Sequence, residues 1–418
     1  RRARRLFHAL FLFLWVVVAY AILFLPTEVA GLRGDAWSTA AYVNNWYQVF
    51  SHKSYFETVG RPSLLRHMWS LAVEEQFYLL WPLVFSLLMA RLRTRHVLWL
   101  VLAGIVASIL AMGAMFRPDS DPSRVYYGTD TRASGLLLGV ALAFLWRPGQ
   151  AIGAVHGGDL DAVGLAAFSV LTACFLFIDE FQTFLYRGGF SLTSMVTAEL
   201  VAVAVHPRAQ LVPRALSWQP LRWIGIRSYG IYLWHFPVFM LTRPQLDVPI
   251  DGLPLLLARF ALTLGIAAIS YRWIETPIRQ DALGRAWNVW RKAAGDEKRR
   301  LGLRWAMASL AVAVSFSAVG VFLLKARQPA PPDYLASASA LSKTNAGSSA
   351  VRATNSGIPA IAETLAADPD APFVVPPPVT DPQQNTGMAF TDGITAIGDS
   401  VMEGVAEMVT EIQVEATF

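Results

Sequence analysis

The chain has 418 residues, of which 54% are hydrophobic and only 16% charged, and its formal net charge is +5. A soluble globular surface needs more charge than that, and the basic residues gather between apolar runs instead of forming one patch, which argues against a soluble enzyme and against nucleic-acid binding. Fourteen Trp, twelve Tyr and twenty-four Phe suit packed membrane helices and their interfacial belts, and Cys174, the single cysteine, allows no intrachain disulfide and no thiolate metal site.

In chain order, Arg1, Arg2, Arg4 and Arg5 precede an apolar run at 6–25. The run ends in Leu25-Pro26-Thr27-Glu28 without a small-x-small cleavage pattern, so it reads as a spanning helix and not a signal peptide. Arg2 and Arg5 are three apart on one helical face, where two guanidinium forks could clamp phosphate; the competing reading is the positive-inside signal. Segment 36–50 is too short and polar for a span and reads as a re-entrant or interfacial helix. Further apolar runs at 71–90, 97–116, 131–146, 160–178, 188–205, 223–241, 253–271 and 305–324 bring the expectation to about nine spanning helices, an all-α polytopic membrane protein. The basic groups at 1–5, 91–96, 208–222 and 272–300 then share the cytoplasmic side, and residues after Lys325 emerge outside.

The most informative stretch is Arg66-His67-Met68-Trp69-Ser70-Leu71-Ala72-Val73-Glu74-Glu75-Gln76-Phe77-Tyr78-Leu79-Leu80-Trp81-Pro82. A charge in the bilayer core costs about 2.5–3.5 kcal/mol on insertion scales, so Glu74 and Glu75 should face a cavity or a partner. On a helix they point about 100° apart, and Glu74 shares its face with Tyr78. Acidic residues near a helix N-terminus also complement its dipole, which is the structural alternative. Tyr126-Tyr127-Gly128-Thr129-Asp130-Thr131-Arg132 places an ion-pair candidate, Asp130 with Arg132, at the mouth of an apolar run. His235 lies inside a membrane run and needs a hydrogen-bond partner or a watery pocket. No HExxH or paired His/Cys spacing occurs, so no metal centre is expected.

From 328 to 392 Pro, Ala, Ser, Thr and Asp dominate, as in a tether. Beyond it, Ile394-Thr395-Ala396-Ile397-Gly398-Asp399-Ser400 reads as a strand running into a turn that would expose Ser400 at a helix start. No histidine lies between Ser400 and Phe418. A Ser-His-Asp site is therefore not expected to assemble within these residues.

Together, Arg2-x-x-Arg5, the runs 69–82, 127–132 and 225–237, Tyr186-Arg187-Gly188-Gly189 and Ser270-Tyr271-Arg272-Trp273-Ile274-Glu275-Thr276-Pro277-Ile278-Arg279 resemble the acyltransferase-3 family of integral membrane acyltransferases. The resemblance is to members fused to an extracytoplasmic SGNH-hydrolase-like domain, whose first block Gly398-Asp399-Ser400 matches. It implies a membrane acyltransferase domain at 1–279, a cytoplasmic basic loop at 280–304, an additional transmembrane helix at 305–324, an extracytoplasmic linker at 325–393 and the start of an α/β SGNH-like domain at 394–418. Members usually begin with two further helices carrying a catalytic histidine, so the chain is expected to be truncated at both ends. His8 stands where a proline is common in the family.

The implied activity is transfer of an acyl group, commonly acetyl, from cytoplasmic acyl-CoA to a hydroxyl of a cell-envelope or exported glycan, in a bacterial plasma membrane. Acyl-CoA is a donor substrate here, with no permanently bound cofactor, and the partners are the lipid bilayer, the glycan and acyl-CoA. Arg2 and Arg5 correspond to the family's cytoplasmic arginine motif tied to acyl-CoA, and Arg132 is grouped with them. Glu74, Glu75 and Ser400 are the catalytic candidates, with His67, Trp69, Tyr78, His235 and Asp399 in support. The alternative, a secondary transporter or flippase, predicts inverted repeats and broken helices, which the sequence does not show.

Overall fold

Inside a bilayer no water is available to satisfy backbone N–H and C=O groups, so long apolar runs fold as helices. The computed structural model describes residues 2–56, 61–146 and 156–327, with 2–6 as backbone only. Its elements are α1 (Arg2–Phe24), α2 (Val29–Ala40), α3 (Asn44–Phe50), α4 (Met68–Arg91), α5 (Thr94–Met115), α6 (Ser123–Tyr127), α7 (Thr129–Leu145) and α8 (Gly157–Phe177). A π-helical turn, Leu185–Gly189, leads into α9 (Phe190–Val205), followed by α10 (Leu211–Leu216), α11 (Gln219–Met240) and α12 (Gly252–Ser270). A second π-helical turn, Tyr271–Glu275, precedes α13 (Thr276–Arg279), α14 (Ala282–Lys292) and α15 (Gly295–Lys325).

Seven helices among the described residues are long and apolar enough to cross a membrane: Phe7–Phe24, Met68–Arg91, Thr94–Met115, Gly157–Phe177, Leu185–Val205, Gly252–Arg279 and Gly295–Lys325. The protein is a multi-pass, all-α membrane bundle. The other two expected spans, 131–146 and 223–241, coincide with α7 and α11, helices of 17 and 22 residues. α7 is short, and α11 carries Arg222, Arg227, Ser228 and His235 along its length. Leu79, Leu83, Leu110 and Phe177 are 65–76% exposed, as lipid-facing side chains should be.

Segment 36–50 is a broken pair of helices. α2 ends at Ala40, Tyr42 turns the chain with φ 54°, and α3 begins at Asn44. Helices of 12 and 7 residues cannot span, and their buried residues include Asp35, Asn44, Asn45 and Gln48. Polar groups so placed must be paired, and they are. Asp35, fully buried, accepts from Gln48 Nε2 at 2.8 Å and from Lys53 Nζ at 3.2 Å, while Asn44 Nδ2 donates to Ser38 Oγ at 3.0 Å.

Two apolar clusters use different residues at the start of α4. In one, Met68 and Leu71 join Leu10, Phe13 and Val17 of α1 and Tyr229, Tyr232 and Leu233 of α11. In the other, Trp69 and Val73 join Tyr126, Tyr127, Tyr186 and Phe190. Gly188, at φ 142°, breaks the helix inside the first π-helical turn, where Tyr186 stacks on Phe116 at 4.3 Å.

Outside the spans, Arg61 ties three segments together. Its Nε donates to Glu28 Oε1 at 3.0 Å, its Nη1 to the Met240 carbonyl at 2.6 Å and its Nη2 to Asp247 Oδ1 at 2.6 Å. Arg243 Nε adds a bond to Asp247 Oδ2 at 3.0 Å. Burial alone would raise the Asp247 carboxyl, but the hydrogen bonds from Arg243 and Arg61 outweigh it and hold the group below the usual carboxylate range. A depressed folded pKa means stability that is present above the unfolded value, about 3.9, and lost as pH falls through the folded one. Asp247→Asn should therefore lower stability at pH 7 by about 1.5–3 kcal/mol. In thermal unfolding of the detergent-solubilised protein, the gap to wild type should close as pH is stepped down towards 3. A gap independent of pH would contradict the assignment.

Candidate functional site

The third turn of α4 is fixed by a hydrogen-bond network centred on Gln76. Gln76 Nε2 donates to the Tyr42 carbonyl at 2.8 Å and to Asn45 Oδ1 at 2.9 Å. Its Oε1 accepts from Thr129 Oγ1 at 2.8 Å and from Trp46 Nε1 at 3.2 Å. Asn45 Nδ2 in turn donates to Thr129 Oγ1 at 2.9 Å and to the Tyr127 carbonyl at 3.1 Å. The α2–α3 turn, α3, α4 and the start of α7 thus meet next to Glu74 and Glu75, both half-buried.

The two carboxylates point about 100° apart on α4. Glu74 precedes Tyr78 by four residues on one face of α4. Tyr78 lines an open groove of about 550 Å³, with Phe77, Trp81 and Phe85 on its own helix and Gly135 and Gly139 of α7 opposite. Glu75 instead acts on Tyr42, whose hydroxyl is pushed up first by burial and then by the Glu75 charge, so that it stays protonated and able to donate. Glu75, Tyr42 and Glu275 all lie within electrostatic reach of Tyr229 on α11. Glu275, only 2% exposed, ends the second π-helical turn and lies against Gly230. Close by in sequence, the Arg227 guanidinium covers the Trp223 ring at 4.1 Å and the Tyr271 ring at 4.8 Å.

This group sits at the arginine end of α1. Phe7 meets the Tyr42 ring at 5.6 Å, and two residues of helix, about 3 Å of rise, separate Phe7 from Arg5. α1 also packs on the second π-helical turn and on α13. Arg2 and Arg5 open α1 three residues apart; their side chains lie outside the described residues.

Arg132 is held elsewhere. Its guanidinium is enclosed by the rings of Phe190 at 4.1 Å, Tyr126 at 4.6 Å and Trp69 at 5.1 Å, and its Nε donates to the Tyr126 carbonyl at 3.1 Å. Asp130 pairs with Arg124 at 2.9 Å, not with Arg132. The structure therefore joins Arg132 to Trp69 in the second apolar cluster, while Arg2 and Arg5 begin the helix that packs in the first.

His67 and His235 come together although 168 positions separate them in the chain, with ring centroids 5.3 Å apart. His67 stacks on Phe236 at 4.9 Å and meets Phe13 edge-on at 6.0 Å. His235 Nδ1 lies 2.7 Å from the Tyr232 carbonyl; a carbonyl only accepts, so Nδ1 carries the proton. The Ser70 and Tyr232 hydroxyls are 2.8 Å apart, and Tyr232 donates to the His67 carbonyl. The bonds at Tyr232 fasten the start of α4 to α11. Asp399 and Ser400 lie outside the described residues.

Sequence reasoning singled out Glu75 but passed over Tyr42, Gln76, Tyr229 and Glu275. The available signal was the presence of polar residues inside otherwise apolar helices, each of which needs a partner.

Residues 1–272 match a protein family described as an acyltransferase domain. Peptidoglycan O-acetyltransferase OatA of Listeria monocytogenes is 42% identical over 286 residues, covering 67% of this chain and 46% of that protein. Putative peptidoglycan O-acetyltransferase YrhL of Bacillus subtilis is 40% identical over 284 residues, covering 67% and 45%. O-acetyltransferase OatA of Staphylococcus aureus is 37% identical over 289 residues, covering 67% and 47%. The chain spans about half the length of these curated relatives. No solved structure matches it.

Proposed function

The chain belongs to this acyltransferase family, and from that membership we propose that it takes an acyl group, acetyl in the first instance, from acyl-CoA at the cytoplasmic face and delivers it to a hydroxyl of a cell-envelope glycan. The observation that carries the reading is the gathering of Glu75, Tyr42, Tyr229 and Glu275 at the arginine end of α1. A half-buried carboxylate beside tyrosine hydroxyls can hold a proton near a reacting carbonyl, and arginines at the same end can bind the phosphates of CoA. In the transfer from acyl-CoA the acceptor oxygen attacks the acyl carbon, a C–O bond forms and the C–S bond breaks. The thiol of CoA leaves with the proton that the hydroxyl gives up, and Glu75 is the group placed to pass it.

The topology that goes with this reading has nine crossings, α7 and α11 included, with the arginine end in the cytoplasm. Outside, Ser400 carries the acyl group as an ester; the glycan oxygen attacks its carbonyl carbon, the new C–O bond forms, the serine C–O bond breaks and the serine oxygen takes up the proton that the glycan hydroxyl gives up. Two of the relatives have peptidoglycan in their names, which makes it the first acceptor to test.

The test is transfer of label from acetyl-CoA to peptidoglycan by full-length protein in proteoliposomes. Label should reach the glycan, and Arg2→Lys and Arg5→Lys should each raise the acetyl-CoA concentration needed for half-maximal transfer by about tenfold, the loss of one bidentate phosphate contact at about 1.4 kcal/mol. No transfer to any glycan hydroxyl would refute the activity. Unchanged donor dependence would leave the two arginines as topogenic signals only.

A further inference from the structure

α14 lies beyond the matched acyltransferase domain and takes no part in the site above. Its sequence, Ala-Leu-Gly-Arg-Ala-Trp-Asn-Val-Trp-Arg-Lys, divides into two faces at the helical period. Ala282, Leu283, Ala286, Trp287, Val289 and Trp290 occupy one arc. Gly284, Arg285, Asn288, Arg291 and Lys292 occupy the other, and Arg285 and Arg291 stand at its two borders. On the apolar arc Trp287 and Val289 are each 57% exposed.

The position of the helix says what covers that arc. α14 packs on α13 and α15, which belong to the candidate spans Gly252–Arg279 and Gly295–Lys325. Lys298 sits 5.1 Å over the Trp290 ring, and Gly302 leaves Trp290 room, since a Cβ there would stand 3.1 Å from its Nε1. Gly302 is three residues, about 4.5 Å of rise, before Trp305, where the apolar part of α15 begins. Trp290 therefore sits at the depth of the membrane–water boundary, the level that tryptophan prefers. The charge around it is net positive: between 281 and 304 seven Lys and Arg oppose three Asp and Glu.

We propose that α14 is a membrane-surface helix that docks on anionic phospholipid headgroups at this end of the bundle. Trp287, Val289 and Trp290 enter the boundary with the acyl chains. Arg285 and Arg291 reach from the borders of the apolar arc to headgroup phosphates, their stems lying along apolar surface, and Lys292 adds a third cation.

The experiment places a spin label at Val289→Cys or at Asn288→Cys in the full-length protein carrying Cys174→Ala, reconstituted in nanodiscs of phosphatidylcholine with or without phosphatidylglycerol. Collision with oxygen reports the acyl region and collision with a nickel chelate reports water. With phosphatidylglycerol, the label at 289 should be open to oxygen and shielded from nickel, and the label at 288 the reverse. Changing Arg285, Arg291 and Lys292 to Gln should lower the docked-to-undocked ratio at 289 by about fivefold per charge removed, and omitting phosphatidylglycerol should act in the same direction. Equal nickel access at both positions would overturn the proposal. Shielding at 289 that ignores both lipid charge and the three substitutions would overturn it in favour of a protein contact, and shielding only at two copies per disc would identify that contact as a second copy of the chain.

Discussion

Glu75→Gln should reduce acyl transfer by about 10²–10⁴-fold, the range for loss of a positioned proton-transfer group, and Glu74→Gln should reduce it far less. The two side chains are adjacent in sequence and point about 100° apart on the helix. Glu75 acts on Tyr42 and Tyr229, in the company of Glu275, at the end of α1 that carries the arginines. Glu74 shares the helix face of Tyr78, which lines the groove with Trp81 and Phe85. Glutamine keeps the shape of glutamate and its acceptor oxygen but cannot take up the proton, so the comparison isolates the carboxylate from the packing. Initial rates with labelled acetyl-CoA, taken at equal amounts of folded protein, provide the measurement. Equal losses in the two variants, or a larger loss for Glu74→Gln, would remove Glu75 from the proposed role.

The helices themselves were legible in the sequence because hydropathy is a local property. Every apolar run read as a span coincides with a helix, from Phe7–Phe24 to Gly295–Lys325. The break between α2 and α3 was less legible, since Tyr42 is a non-glycine residue at positive φ and carries no turn signature. Segment 36–50 still looked wrong for a span, because Asn44, Asn45 and Gln48 cannot face lipid.

Pairing across the fold was not legible at all. His235 read as a histidine in need of a neighbour and His67 as a supporting residue beside the carboxylates, and only the packing of the start of α4 on α11 makes the two histidines neighbours. Arg132 read as an ion-pair candidate with Asp130, and the family resemblance grouped it with Arg2 and Arg5. Its stacking against Trp69, Tyr126 and Phe190 depends on three separate helices converging. Glu275 lay within a recognised motif, yet nothing local announced that it would be 2% exposed against α11.

Gln76→Leu should be the most damaging change outside the carboxylates, and its effect separates positioning from chemistry. The substitution removes the bonds to the Tyr42 carbonyl, Asn45, Thr129 and Trp46. Interhelical hydrogen bonds in membrane proteins average only about 0.6 kcal/mol each, so the direct loss over this set is about 2 kcal/mol. The larger consequence is geometric. Gln76 is next to Glu75 and holds the backbone of Tyr42, which lies within electrostatic reach of Glu75, so releasing it lets both groups drift. A displacement of about 1 Å at a reacting group costs on the order of 10²-fold in rate. The expected signature is therefore a fall in kcat of about 10²-fold with the KM for acetyl-CoA little changed, because the arginines on α1 are untouched. Asn45→Leu, which removes the acceptor of Gln76 Nε2 and the donor to the Tyr127 carbonyl, should show the same signature in weaker form. A Gln76→Leu protein that loses thermal stability but keeps kcat would show that the network supports only the bundle, and that Glu75 finds its place without it.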